Sequence, residues 1–357
     1  MSLLQIDDLK VHFPIRKGIV FERTVGHVYA VDGVSLSIEQ GQTYGLVGES
    51  GCGKTTLGRA VLRLNDITEG SVIYQDTDLA ALSDEEMRRR RSKLQMVFQD
   101  PLGSLNPRQN IESILVEGME AHNIGESRQD RRERAVKTLA EVGLPANTLS
   151  RYPHEFSGGQ RQRIGIARAL VLEPDLIICD EPVSALDVSI QAQVLNLLEQ
   201  LQKDLGLTYL VIAHDLAVVR HISDVIGVMY LGSLVEEATS DDLYANPRHP
   251  YTKALMSAVP VPDPDVEDNR ERILLTGDLP SPANPPTGCR FHTRCPWRQE
   301  TRCDTERPEL VELSDGHRVA CHYATDIEEG RIQRSTEPVA ADLSTPAAQV
   351  PTLDAAG

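Results

Sequence analysis

The chain has 357 residues, enough for about two domains, and its 40% hydrophobic and 25% charged residues are those of an ordinary folded protein. Thirty-six basic against 53 acidic residues leave a net charge of −17, which argues against broad nucleic-acid binding. No run of about 18 apolar residues occurs, so no membrane span is expected; Met1–Asp8 lacks the basic and apolar regions of a signal peptide, so a cytosolic protein is expected.

In chain order, residues 3–47 alternate as β structure, with Gly33 and Gly41 as breaks and Pro14–Val28 as an irregular loop or hairpin. Tyr44–Val47 reads as a short buried strand and Leu57–Leu62 as the start of a helix. Between them lies Gly48-Glu49-Ser50-Gly51-Cys52-Gly53-Lys54-Thr55-Thr56, which fits G-x-x-x-x-G-K-[ST] in the strand–loop–helix context that a P-loop requires. Its glycines let the backbone aim N–H groups inward at phosphate oxygens, and the following helix N-terminus adds partial positive charge. In such a loop Lys54 reaches the β- and γ-phosphates, and the Thr55 hydroxyl ligates Mg²⁺.

Gly70–Tyr74 reads as a further strand, and Arg88–Lys93 is a basic run read as a solvated helix face. Residues 104–172 carry helical signals, such as Arg131–Val142, and form a helical insertion between two pieces of the core. Asp175–Cys179 is apolar enough for a buried parallel strand and ends in Asp180-Glu181, the Walker B pattern. Asp180 then belongs to the Mg²⁺ shell, and Glu181 stands where a carboxylate can take a proton from attacking water. Ile190–Leu205 is a helix, Thr208–Ile212 a strand and Val225–Leu234 a closing hairpin. Ser157-Gly158-Gly159-Gln160 opens another helix and is a second anion-binding design without a lysine, which suggests service to another chain's nucleotide.

Together these motifs resemble the nucleotide-binding subunit of an ABC transporter. Phe156–Gln160 matches that family's signature, with Phe where Leu is more usual; Gln99 matches the Q-loop, Ser184–Asp187 the D-loop and His214 the switch histidine. The resemblance implies an α/β P-loop core of ABC type with antiparallel β and α-helical subdomains. It also implies head-to-tail pairing of two subunits, each ATP lying between one chain's P-loop and the other's Ser157, Gly158, Gly159 and Gln160. Gln99, Glu181 and His214 then serve hydrolysis, Gln99 joins Thr55 and Asp180 at Mg²⁺, and Phe13 or Tyr29 stacks on adenine.

From about Thr239 prolines multiply and periodicity fades, marking a loop-rich module over 239–330 after an ATPase domain over 1–238 with a helical part near 104–172; residues 331–357 look disordered. His249–Leu255 and Gly277–Pro296 resemble the C-terminal extension of oligopeptide and dipeptide importer ATP-binding subunits. The implied partners are two permease subunits, a second ATPase subunit and an extracytoplasmic peptide-binding protein, and the implied place is the cytoplasmic membrane face. An importer of another small solute, such as nickel or glutathione, is the near alternative, and a soluble ABC ATPase the distant one. Four of the six cysteines, Cys289, Cys295, Cys303 and Cys321, follow C-x5-C-x7-C-x17-C. That spacing lacks the zinc-type hook and leaves a [4Fe–4S] cluster, zinc or reduced thiols open, with the cluster favoured.

Overall fold

The computed structural model describes residues 2–18, 23–259 and 272–335. Strands β1 (Ser2–Lys17) and β2 (Arg23–Glu39) pair antiparallel because Leu4, Ile6, Leu9, Val11, Val31, Val34 and Ile38 all need cover. Of the stretch expected as an irregular loop or hairpin, residues 19–22 lie outside the described residues, and the rest is the far end of this ribbon, where Pro14 pairs with His27. After β3 (Thr43–Val47), strands β4 (Glu69–Tyr74) and β5 (Thr77–Asp78) return to the first sheet, giving the order β2-β1-β4-β5.

The main sheet is built from β3, β6 (Leu94–Val97), β7 (Leu176–Asp180), β8 (Thr208–Ala213) and β9 (Val225–Tyr230), all parallel, in the order β9-β3-β8-β7-β6. Its strands read as unbroken apolar runs because both faces are covered. Leu176 and Ile178 of β7 face the core shared with the first sheet, while Ile177 and Cys179 face the helical side. At roughly 1.5–3 kcal/mol per buried aliphatic side chain, these layers outweigh solvent-screened surface ion pairs such as Arg88–Glu85.

Helix α1 (Lys54–Val61) follows β3, and α2 (Asp84–Arg90) starts with a Ser83–Glu86 capping box. The basic run at its end is only partly solvated: Arg88 and Lys93 donate to the Ala121 and Glu173 carbonyls at 2.7 and 2.8 Å, and the Arg91 guanidinium donates to the carbonyls of Leu62 and Arg63 at 3.0 and 2.9 Å, closing the end of α1. The helical insertion expected over 104–172 contains α4 (Ile111–Ala121), α5 (Arg128–Glu141) and α6 (Gly158–Leu170), and α3 (Pro101–Ser104) stands just ahead of it. Helices α7 (Val188–Leu205) and α8 (Leu216–Ile222) flank β8, and β10 (Ser233–Thr239) closes the expected hairpin with β9 through Leu231-Gly232, both at positive φ.

Beyond β10 lie α9 (Ser240–Ala245), α10 (Pro250–Ala258), α11 (Arg302–Thr305) and α12 (Ala324–Glu328), with β11 (Val311–Ser314) and β12 (His317–Val319) between the last two. The described elements here are short, yet β12 pairs with β10 and extends the main sheet. Asp315-Gly316 makes the two-residue turn between Ser314 and His317, a hairpin signal that the sequence reading did not use. Of the tail expected to be disordered, 336–357 lies outside the described residues, while the Ser335 N–H donates to the Pro296 carbonyl at 2.8 Å.

One buried ion group fastens β12 down. The His317 ring nitrogens lie 2.8 Å from a Glu236 oxygen and 2.6 Å from an Asp242 oxygen, and the His317 and Glu236 side chains are fully buried. Glu236 also accepts the N–H groups of Arg248 and His249 at 2.7 and 2.9 Å. Burial alone lowers the pKa of His317, but the two carboxylates outweigh it and raise the pKa above 6.5. A raised pKa means that the folded state binds the proton more tightly, so this stabilisation is complete below pH 6.5 and fades as pH rises through the folded value. The melting-temperature gap between parent and His317→Gln is therefore expected to be widest near pH 6 and to narrow by about pH 9. A gap that stays constant or widens with pH contradicts the ionised arrangement.

Candidate functional site

The loop from Gly48 to Gly53 leaves β3 and enters α1. Two glycines are required by close approach: a Cβ at Gly48 would lie 2.1 Å from the Met229 carbonyl oxygen, and one at Gly53 would lie 2.0 Å from that of Ala30. Both residues, and Gly51, also take positive φ. The Lys54 ammonium is folded back into the loop, donating to the carbonyls of Gly48 and Glu49 at 2.7 and 3.0 Å, and is only 5% exposed. Burial pushes the Cys52 thiol up despite the nearby Lys54 ammonium, which makes it an inert filler of the loop interior.

A cavity of about 260 Å³ opens here. It is lined by Ser50, Gly51, Gly53, Lys54, Thr55 and Thr56 of the loop, by Gln99 and Glu181, and by Val28, Ala30 and Pro282. The last three were not among the sequence candidates. Neither aromatic candidate lines it: Phe13 is exposed and pairs in register with Val28, while Tyr29 meets His12 edge-on at 4.7 Å.

The acidic side is compact. Thr55 Oγ1 donates to Asp180 Oδ1 at 2.8 Å. Burial raises the Asp180 carboxyl above its ordinary range even though Thr55, Arg59 and Lys54 lower it. A buried carboxylate beside a hydroxyl, short of compensating positive charge, is a donor set that suits a hard divalent cation. Gln99 Nε2 donates to Glu181 Oε2 at 2.8 Å, and His214 Nδ1 lies 3.2 Å from Glu181 Oε1. Glu181 itself has φ 46°, a conformation rare outside glycine, and its N–H is fixed to the Ile212 carbonyl at 2.8 Å. Strained backbone of this kind clusters at functional positions.

The second anion motif lies elsewhere. Ser157 caps α6, accepting from the Gln160 N–H at 3.4 Å while the Gln160 side chain accepts from the Ser157 N–H at 3.1 Å. Ser157, Gly158 and Gln160 are exposed and do not line the cavity beside the P-loop. Phe156 stays buried under the Arg151 guanidinium at 4.3 Å, so the unusual residue preserves the apolar position. Asp187 is exposed at the start of α7, its carbonyl accepting from the N–H groups of Ile190 and Gln191 at 2.9 Å.

The four late cysteines lie near one another without forming a ligand shell. The Cys289 N–H donates to the Cys303 carbonyl at 2.9 Å. Burial pushes the Cys295 thiol well up, and the three other thiols add to this; burial likewise takes Cys289 to about 11 and Cys321 to about 12. Among the described residues, no three His, Cys, Asp or Glu side chains are arranged as a metal site.

The family described as ABC transporter matches residues 31–184, and that described as Oligopeptide/dipeptide transporter, C-terminal region, matches residues 235–303. The oligopeptide transport ATP-binding protein OppF of Salmonella typhimurium is 58% identical over 89% of this chain and 95% of its own. The oligopeptide transport ATP-binding protein AppF of Bacillus subtilis is 56% identical over 90% of this chain and 97% of its own. Among solved structures, the ATP-binding cassette MJ0796, in a dimeric post-hydrolysis state bound to ADP and Pi, matches with a TM-score of 0.59 and 28% identity. That match covers 66% of this chain and 98% of the other. On this identity and coverage, the chain belongs to the ABC transporter ATP-binding proteins, in the oligopeptide-transport branch of that family.

Proposed function

We propose that the chain is the ATP-hydrolysing subunit of a peptide importer, at the cytoplasmic face of the membrane. It works with two permease subunits, a second ATPase subunit and, through the permeases, an extracytoplasmic peptide-binding protein. The observation that carries this reading is one acidic and basic constellation at the P-loop cavity, in a chain whose relatives are oligopeptide transport ATP-binding proteins over nearly their full length.

In this reading Gly48–Thr56 cradles the triphosphate, and Lys54 exchanges its loop carbonyls for phosphate oxygens. Thr55, Asp180 and Gln99 hold Mg²⁺, which supplies charge neutralisation at the phosphates. Glu181 orients water and takes its proton, with His214 and Gln99 fixing the carboxylate from either side. Phe13 is preferred over Tyr29 for adenine, since its ring is exposed beside the cavity-lining Val28. Ser157–Gln160, which do not line their own cavity, serve the partner's nucleotide, and Asp187 joins them in closure. Closure then moves the permeases through the segment that follows Gln99.

Glu181→Gln keeps ATP affinity and a closed dimer while turnover in the assembled transporter falls by a factor on the order of 10²; unchanged turnover removes Glu181 from this role. Ser157→Arg leaves ATP binding to the isolated chain intact and blocks dimer formation, so an ATP-dependent dimer of this variant on size exclusion contradicts the assignment in trans.

For the four cysteines the proposal is a [4Fe–4S] cluster with zinc as the alternative, supported by four neighbouring thiols, those of Cys295 and Cys303 buried and those of Cys289 and Cys321 half-buried, in a segment of few apolar residues. Anaerobically purified protein should carry about four irons per chain and absorb broadly near ~400 nm. Stoichiometric zinc without iron makes the site a zinc staple, and neither metal leaves reduced thiols.

A further inference from the structure

The P-loop is gripped from outside its own sheet. The Glu49 carboxylate accepts two bonds from the Arg294 guanidinium, at 2.7 and 3.2 Å, and the Glu49 N–H donates to the Tyr251 hydroxyl at 2.9 Å. The pair is largely desolvated, with the Arg294 side chain 10% and that of Glu49 28% exposed. Arg294 sits in a tight turn whose own N–H donates to the Phe291 carbonyl at 3.0 Å. The Phe291 ring packs on Tyr251 and Tyr230 at centroid distances of 5.4 and 5.2 Å, so the grip rests on an aromatic base. Two further ties run in parallel. The Tyr29 N–H donates to the Pro282 carbonyl at 2.9 Å, and the Arg290 guanidinium holds the Leu231 carbonyl, next to Gly232, whose N–H donates to the Cys52 carbonyl at 2.9 Å.

Electrostatics gives this arrangement a purpose. A loop that must receive a polyanion carries a carboxylate of its own, and an uncompensated charge there repels the phosphates across a short, low-dielectric path. Bidentate pairing with a guanidinium cancels that charge and fixes the loop's direction. We propose that Arg294 and Tyr251 are positioning residues of the nucleotide site: the C-terminal module neutralises and orients Glu49, so that ATP affinity depends on how this module is docked. The proposal rests on the reading of Gly48–Thr56 as the triphosphate cradle.

The test measures ATP binding to the full chain by calorimetry, with Lys54→Ala as the control. Arg294→Met is expected to weaken ATP binding about tenfold at low salt, and the deficit shrinks as salt is raised past about 0.5 M. In the assembled transporter its KM for ATP rises by more than kcat falls. Glu49→Gln added to Arg294→Met restores affinity to within about threefold of the parent, because the unpaired charge is gone; a merely structural Arg294 would leave the double variant as weak as the single one. Tyr251→Phe, which keeps the buried ring, loses about threefold and serves if Arg294→Met fails to fold. Parental affinity in both Arg294→Met and Tyr251→Phe, or no rescue in the double variant, overturns the proposal. If Lys54→Ala also binds as the parent does, the cradle reading is what fails; if only Lys54→Ala loses ATP, the clasp alone fails.

Discussion

The hydrogen bond from Thr55 to Asp180 can form only because β3 and β7 end level with one another across β8. Leu46 and Asp180 are both register partners of Ile212, so the loop leaving β3 and the acid closing β7 emerge at one height. The Glu181 N–H is tied to the same Ile212 by its carbonyl, and His214 follows two residues later. Val97 of β6 is level with Cys179, which brings Gln99 to Glu181. Five functional side chains from four strands meet because parallel strands share one carboxyl edge, where open α/β sheets place their ligands.

Charge is managed locally rather than by the net −17 of the chain. Glu181 lines the cavity and Asp180 stands behind Thr55, where burial already makes its charged form costly. Lys54, held by loop carbonyls, keeps its ammonium inside the loop. Arg294 answers the remaining carboxylate, Glu49, from a segment 245 residues away. Acids that would meet phosphate are thus each given a hydroxyl, an amide or a guanidinium partner.

The C-terminal region is joined to the ATPase core by more than its linker. β12 extends the main sheet beside β10, His317 ties that strand to Glu236 and Asp242, and Arg290 and Arg307 both reach Asp32 on β2. Phe291 and Cys295 belong to the same apolar cluster as Val47 and Val228. A region poor in regular structure is therefore held by the sheet and cluster that also shape the P-loop.

The sequence alone determined what depends on local backbone and burial. Gly48 and Gly53 have to lack a Cβ where they cross Met229 and Ala30, and that requirement shows as a spacing of glycines. β7 and β8 are covered on both faces, and that shows as unbroken apolar runs. The capping of α6 by Ser157 and Gln160 is likewise a matter of adjacent residues. Tertiary structure decided the rest: that Val28, Ala30 and Pro282 line the cavity, that Arg91 closes α1, that β12 joins the main sheet, and that Arg294 answers Glu49. These contacts depend on complementarity between segments far apart in the chain. Neither partner needs a special backbone or a periodic pattern to make them, so neither leaves a mark in its own stretch of sequence.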